Sequence, residues 1–219
     1  MLKNKIKIPE ISDTFNYKSL SKSYNSSGGI GVGNNISSSN TYFQKFIPGK
    51  TFSISFIASD SDPVILGFNQ LFIVENNTKY PFLHAGAMII DFEQPYRGYM
   101  LDWIKVISKY YSLTGYISID FKIFSNNLEI LDINPRLSGS YRLYTRKYKN
   151  LMFNHMKPGD TLNLKINDYF SYIILYAKND LVVDRRISSI EDVSDTPSIG
   201  QAIKKAVSYT HLRAHETGY

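Results

Sequence analysis

Hydrophobic and polar positions fall into three regimes along the chain. Residues 1–41 are polar and rich in Ser, Asn and Gly, and Ser26-Ser27-Gly28-Gly29-Ile30-Gly31-Val32-Gly33 reads as a loop. From Tyr42 the period becomes two. Phe52, Ile54 and Phe56 alternate with Thr51, Ser53 and Ser55, which predicts a half-buried strand, and Val64–Val74 and Phe82–Ile90 follow as further strands. Between Met100 and Tyr111 the period lengthens. Met100, Trp103, Ile104, Ile107 and Tyr111 recur at helical spacing, predicting an amphipathic helix whose apolar stripe, Tyr111 included, packs on the sheet.

Period two then returns over Tyr116–Phe124, with Ile117, Ile119, Phe121 and Ile123 on one face and Ser118, Asp120 and Lys122 on the other. Ser125-Asn126-Asn127 is rich in turn formers, and Leu128–Ile133 reads as the returning strand of a hairpin. A three-residue loop pairs Phe124 with Leu128 and sets Asp120 opposite Asp132, on a face shared with Asn134. Like charges directly across a ladder repel, so this register calls for a different loop or for a cation between them. Two Asp and one Asn offer only oxygen ligands, the set that Mg²⁺ takes together with water and phosphate. Solvated carboxylates on an exposed strand face are the plain alternative.

Composition narrows the classes. With 219 residues, 43% of them hydrophobic, the chain can bury a full core, so it is not a disordered tail. There is no cysteine, which removes disulfide scaffolds, thiolate metal sites and cysteine nucleophiles and suits a reducing cytoplasm. No apolar run approaches the roughly 20 residues of a membrane helix, so no membrane partner is expected. The formal net charge is +6. Its one local cluster, Arg142, Arg146, Lys147 and Lys149 among Tyr141, Tyr144 and Tyr148, is a candidate RNA-binding face, but a solvated basic run is the commoner meaning and nucleic acid is not the expected partner. His84 and His155 read as structural, although His84 beside Ala85-Gly86-Ala87 is placed to face a substrate.

Four stretches in order carry a family resemblance: Tyr42-Phe43-Gln44-Lys45-Phe46-Ile47-Pro48-Gly49, a turn ending at Gly115, Ile119-Asp120-Phe121, and Leu131-Asp132-Ile133-Asn134-Pro135-Arg136. Over roughly Ile8 to Ile203 the chain resembles the ATP-grasp superfamily, and within it the carboxylate–amine ligase branch of pterin-cofactor (tetrahydromethanopterin-type) biosynthesis. Asp195-Thr196-Pro197-Ser198-Ile199-Gly200 is similar to that branch's last turn. The resemblance implies an α+β class, with two lobes of antiparallel sheet gripping ATP and an α/β domain upstream that this chain lacks. It implies an ATP- and Mg²⁺-dependent (or Mn²⁺-dependent) ligase that joins a small-molecule carboxylate to an amine through an acyl phosphate, in the cytoplasm and with a homodimer as one open assembly. A non-catalytic nucleotide- or RNA-binding module, or an inactive truncated ligase, is the alternative.

Carried onto this chain, the resemblance assigns each position a role. Lys22 grips phosphates, and Ser27, Gly28, Gly29 and Gly31 belong to the mobile loop over them. Glycine suits that place because backbone N–H groups must approach phosphate oxygens closely. Gln44, Lys45, Phe46 and Ile47 form the hinge at adenine, with backbone groups of Lys45 and Ile47 bonding the base; Phe46 as a plain core aromatic is the alternative. Asp120, Asp132 and Asn134 hold one or two metal ions, and Arg136 stabilises the transferring phosphoryl group unless it simply pairs with Asp132. Several positions depart from the family pattern. Asp132 stands where glutamate is usual, Ser23 where proline is common, and Ser118 where some ligases carry arginine, while the ribose-contacting acid expected near Thr51 is absent. Gly49-Lys50-Thr51 echoes the end of a Walker A loop, but Gln44 occupies its first glycine and Thr51 opens a strand, so that motif is rejected.

The resemblance divides the chain into 1–41, a partial small lobe with the glycine-rich phosphate loop; 42–150, a large lobe with the metal-binding hairpin; and 151–206, a strand extension. Residues 207–219 differ in composition from the rest. Val207-Ser208-Tyr209-Thr210-His211-Leu212-Arg213-Ala214-His215-Glu216-Thr217 resembles a translated transposase-type sequencing adapter, so a non-native tail is expected and His211 and His215 receive no metal reading.

Overall fold

A computed structural model of the chain describes residues 6–24, 28–33, 40–59, 62–74, 80–92, 95–145, 170–184, 193–194, 196–203 and 208–215. Ser27, Arg146, Lys147, Lys149 and His155 lie outside the described residues. The elements in chain order are β1 (Ile6–Lys7), β2 (Ile11–Ser12), β3 (Ser19–Ser23), β4 (Val32–Gly33), β5 (Thr41–Lys45), β6 (Thr51–Ala58), β7 (Val64–Ile73), β8 (His84–Ile90), α1 (Tyr96–Tyr110), β9 (Gly115–Phe124), β10 (Asn127–Asn134), α2 (Tyr141–Thr145), β11 (Phe170–Tyr176), β12 (Leu181–Val182), β13 (Val193–Ser194), β14 (Ala202–Ile203) and β15 (Ser208–His215). A nine-stranded sheet runs β1-β10-β9-β6-β7-β8-β11-β15-β13, a four-stranded sheet runs β2-β5-β3-β4, and β12 pairs with β14. The class is α+β, as the resemblance implied. Sheet membership changes after Lys45, since β5 belongs to the small sheet while β1 joins the large one. The tail segment Ser208–His215 pairs with β11 and β13.

Helix α1 covers one face of the large sheet. Met100, Ile104 and Ile107 bury against Ile54, Phe56, Phe68, Ile117, Ile119 and Phe121, and Phe92 closes the cluster by stacking on Phe68 at 4.7 Å between centroids. Such burial is worth about 1.5–3 kcal/mol per large side chain. The helix stops at Tyr110, and Tyr111 is 63% exposed rather than part of the stripe, because the chain turns at Ser112 with a φ of 49°.

The other face is also covered, which corrects the half-buried reading of β6. Ser53 and Ser55 are buried; Leu143 and Tyr144 of α2 pack there with Leu66, Ala87 and Tyr116, and Ser55 lies 3.3 Å from Ser140 in the turn that precedes α2. Most of the polar groups there satisfy one another, although the buried Ser118 Oγ on the same face has no partner among the described residues. Tyr144 donates to Asn69 Oδ1 at 2.8 Å, Asn69 Nδ2 donates to Ser53 at 3.1 Å and Ser55 at 3.3 Å, and Tyr116 donates to Ser55 at 2.9 Å. The Tyr116 hydroxyl also lies 3.0 Å from Ser138 Oγ, so this network anchors the 138–140 turn to the floor of the sheet.

The β9–β10 hairpin differs from the expected one in a way that preserves its chemistry. Its loop has two residues, Ser125 and Asn126, with φ values of 49° and 60°, and Phe124 pairs with Asn127 instead of Leu128. Positive φ at both central positions is the primed turn whose twist matches flanking strands. A bulge between Ile130 and Asp132 then restores the pairing of Asp120 with Asp132. The bulge also turns the Leu131 carbonyl out of the ladder toward the small sheet.

Candidate functional site

Between the two sheets lies a cavity of about 720 Å³, and β3, β5, β6, β9 and β10 bring most of the expected residues to its walls. Lys22 projects from β3 across the gap. Its Nζ donates to the Leu131 carbonyl at 3.1 Å and to Gln44 Oε1 at 3.3 Å, and Gln44 Nε2 donates to the same carbonyl at 3.3 Å. Two residues of the small sheet are thus tied to the one carbonyl that the bulge frees. Burial pulls Lys22 below the ordinary lysine range, and the charges of Asp132 and Asp120 pull it partly back.

Asp120 and Asp132 face each other across the hairpin. Asn134 donates from Nδ2 to Asp120 Oδ2 at 3.3 Å and accepts from Arg136 at 3.3 Å through Oδ1. Burial first, and the Asp132 charge second, raise Asp120 to about 7, against the pull of Lys22, the Asn134 hydrogen bond and Arg136. Arg136 is exposed and forms no ion pair with Asp132 among the described residues; besides Asn134 it reaches only the carbonyl of Leu137, at 3.4 Å. Two carboxylates held opposite one another, with a lysine engaged elsewhere, form an oxygen-rich corner that a divalent cation would relieve. Two Asp and one Asn suit Mg²⁺, which keeps waters and phosphate in its shell, better than they suit a metal needing an all-protein cage.

The glycine-rich turn closes over the same cavity. Gly28 and Gly29 line it, with φ values of 63° and 80°, and the Gly28 carbonyl accepts from the His84 amide at 2.9 Å. A Cβ on Gly29 would run into the Phe82 carbonyl, so the loop can lie this close to β8 only without a side chain. Gly31 does not line the cavity; it sits at the base of the β3–β4 hairpin, where its carbonyl accepts from the Ser23 amide at 2.9 Å. His84 lines the cavity and is held by Tyr172, whose hydroxyl lies 2.8 Å from Nε2.

At the hinge, Gln44 is a buried strand residue and Phe46 is 41% exposed on the cavity wall, so Phe46 is not a core aromatic. The Lys45 amide is spent on the Glu10 carbonyl at 2.9 Å, and the Ile47 carbonyl is spent on Lys122 Nζ at 2.7 Å. Lys122 lines the cavity too and was not among the expected site residues. A lysine on the polar face of a strand reads as solvated, but it stands two residues after Asp120, which puts both on the cavity side of β9.

Residues 1–140 match the family model described as ATP-grasp domain. An uncharacterized protein of Methanocaldococcus jannaschii is 26% identical over 166 residues, which cover 74% of this chain and 39% of that protein. Among solved structures, an L-amino acid ligase from Bacillus licheniformis aligns with a TM-score of 0.70 at 11% identity, over 98% of this chain and 64% of that one. An N5-carboxyaminoimidazole synthetase from Staphylococcus aureus complexed with ADP aligns with a TM-score of 0.70 at 12% identity, over 99% of this chain and 65% of that one. The chain therefore spans less than two thirds of each of these three proteins, and the structural matches speak to the fold.

Proposed function

This chain belongs to the ATP-grasp family, and on that premise we propose that its cavity binds Mg-ATP and serves an ATP-dependent ligase that joins a carboxylate to an amine. The observation that carries the reading is the hairpin corner, where Asp120, Asp132 and Asn134 stand together across from Lys22. In the proposed reaction a substrate carboxylate oxygen attacks the γ-phosphorus, the bond to the β-bridging oxygen breaks and ADP leaves. The amine nitrogen then attacks the acyl phosphate, loses a proton, and inorganic phosphate departs.

Little covalent chemistry falls to the protein in such a step; it positions groups and stabilises charge. Asp120, Asp132 and Asn134 would hold Mg²⁺, which when bound neutralises charge building on the phosphate oxygens. Lys22 lies on the phosphate side of the cavity, and Gly28 and Gly29 bring backbone close to the same oxygens. Exposed Arg136, hydrogen-bonded to Asn134, would meet the transferring phosphoryl group. At the base end, the Lys45 carbonyl and the Ile47 amide are the hinge groups that would meet adenine, since the Lys45 amide and the Ile47 carbonyl already have partners. The resemblance of the motifs to the pterin-cofactor branch supports substrates of that kind as the proposal, with an amino acid as the natural carboxylate or amine. Residues 207–219 are proposed to be a non-native extension that takes no part.

The test is carboxylate-dependent ADP release from Mg-ATP, with hydroxylamine added to capture the acyl phosphate as a hydroxamate. A panel of amino acids and pterin carboxylates should include one that supports both signals. Nucleotide binding with no hydroxamate from any carboxylate would turn the assignment toward a non-catalytic nucleotide-binding module.

A further inference from the structure

The cavity holds a second lysine, Lys122, at the end away from the Asp120 corner. Successive same-face positions on a strand lie about 7 Å apart, so Lys122 sits one such step from Asp120 along β9. It is only 8% exposed although it lines the cavity. Its Nζ has three donors. One goes to the Ile47 carbonyl at 2.7 Å, and the charge lies 5.3 Å from the centroid of the Phe46 ring. Glu129 stands opposite Lys122 on the ladder and is itself buried, yet no carboxylate comes within ion-pair distance of Lys122 among the described residues. Burial holds its ammonium below the ordinary lysine range.

A buried cation with unspent donors is destabilising unless something compensates it. Beside it the cavity wall carries Phe46 and Ile47, with the Phe82 ring 6.2 Å from that of Phe46, a surface that offers flat apolar contact. An occupant that satisfies both must present an apolar planar body to the aromatic rings and an acceptor atom to the ammonium. Heteroaromatic nucleobases combine those two features. We propose that Lys122 is a base-recognising residue, donating a hydrogen bond to an acceptor atom of the nucleobase while its bond to Ile47 fixes the hinge beside it. The inference rests on the nucleotide reading of the cavity and adds the group that reads the base. It makes the cavity two-ended: Lys22 and the carboxylate corner meet the phosphates, and Lys122 meets the base.

Titration calorimetry with two probes, Mg-ATP and base-free Mg-tripolyphosphate, tests this on the full chain. Lys122→Met keeps the aliphatic stem and removes the donors. It should weaken Mg-ATP binding about tenfold or more, the scale of a hydrogen bond to a charged group, and leave Mg-tripolyphosphate binding unchanged. Lys122→Gln, which can still donate to the Ile47 carbonyl, should fall between Met and the wild type on Mg-ATP, and it carries the comparison if Lys122→Met does not fold. Equal losses on both probes, or no loss on either, overturn the role of Lys122. A wild-type chain that binds neither probe overturns instead the nucleotide reading on which the role depends.

Discussion

Replacing Asp120 by Asn should stabilise the metal-free protein while removing its response to Mg-ATP. Burial and the facing Asp132 raise the Asp120 carboxyl from its ordinary 3.8 to about 7. A carboxyl whose folded value lies above its unfolded one holds more protons folded than unfolded, so stability falls as pH rises from about 4 to about 7, and above that the loss is complete. The full step corresponds to about 4 kcal/mol. Water reaching the half-buried group screens part of it, and about 1–2 kcal/mol remains as the net cost of the charge. Asparagine keeps an acceptor for the Asn134 amide and removes the charge. In chelator near pH 8 the variant should melt about 2–8 °C above the wild type, at about 2–4 °C per kcal/mol for a chain of this size. Near pH 5, where Asp120 is protonated in the fold, the advantage should shrink to about two fifths of that, from the same integration. Thermal melts of both proteins at the two pH values, with and without Mg-ATP, provide the assay. A variant less stable than the wild type near pH 8, or an advantage that grows toward pH 5, would refute the reasoning.

Three further substitutions probe the loop and the buried polar network on the sheet. Gly29→Ala places a Cβ against the Phe82 carbonyl at a φ of 80°, a local cost of about 1–3 kcal/mol that the loop relieves by lifting off β8; calorimetry should show Mg-ATP affinity falling about tenfold with little change in melting temperature. Gly28→Ala, with nothing within 4 Å of its added Cβ, should lose much less. Tyr144→Phe strands the buried Asn69 Oδ1 that Tyr144 bonds at 2.8 Å, and chemical denaturation should register a loss of about 1–3 kcal/mol.

The juxtaposition of Asp120, Asp132 and Asn134 was legible because a strict alternation over Tyr116–Phe124 fixed which side chains share a face, and a turn-rich triplet fixed where the chain returns. Its register was reached by two compensating departures. The loop is one residue shorter than the triplet suggested, and the bulge at Leu131 adds the residue back. No glycine or proline marks that bulge, so nothing local in the sequence signals it, and the exposed Leu131 carbonyl that ties Lys22 and Gln44 together could not be foreseen. Ser53 and Ser55 misled for a related reason: serine reads as a solvent-facing position, but here it is buried by satisfying Asn69 and Tyr116, partners drawn from distant strands. In the sequence Lys122 is simply a lysine on the polar face of β9. Its burial goes with the Phe46–Ile47 segment lying against it, a tertiary contact that strand periodicity does not encode.

The central claim is that the Asp120–Asp132–Asn134 corner binds a metal-nucleotide complex, and calorimetric titration of the chain with ATP in Mg²⁺ and in chelator, for the wild type and Asp132→Ala, tests it most directly. The account predicts that ATP binds the wild type tightly only with Mg²⁺, and that Asp132→Ala binds equally weakly with Mg²⁺ and without it. Mg²⁺-dependent binding that survives intact in Asp132→Ala would contradict it.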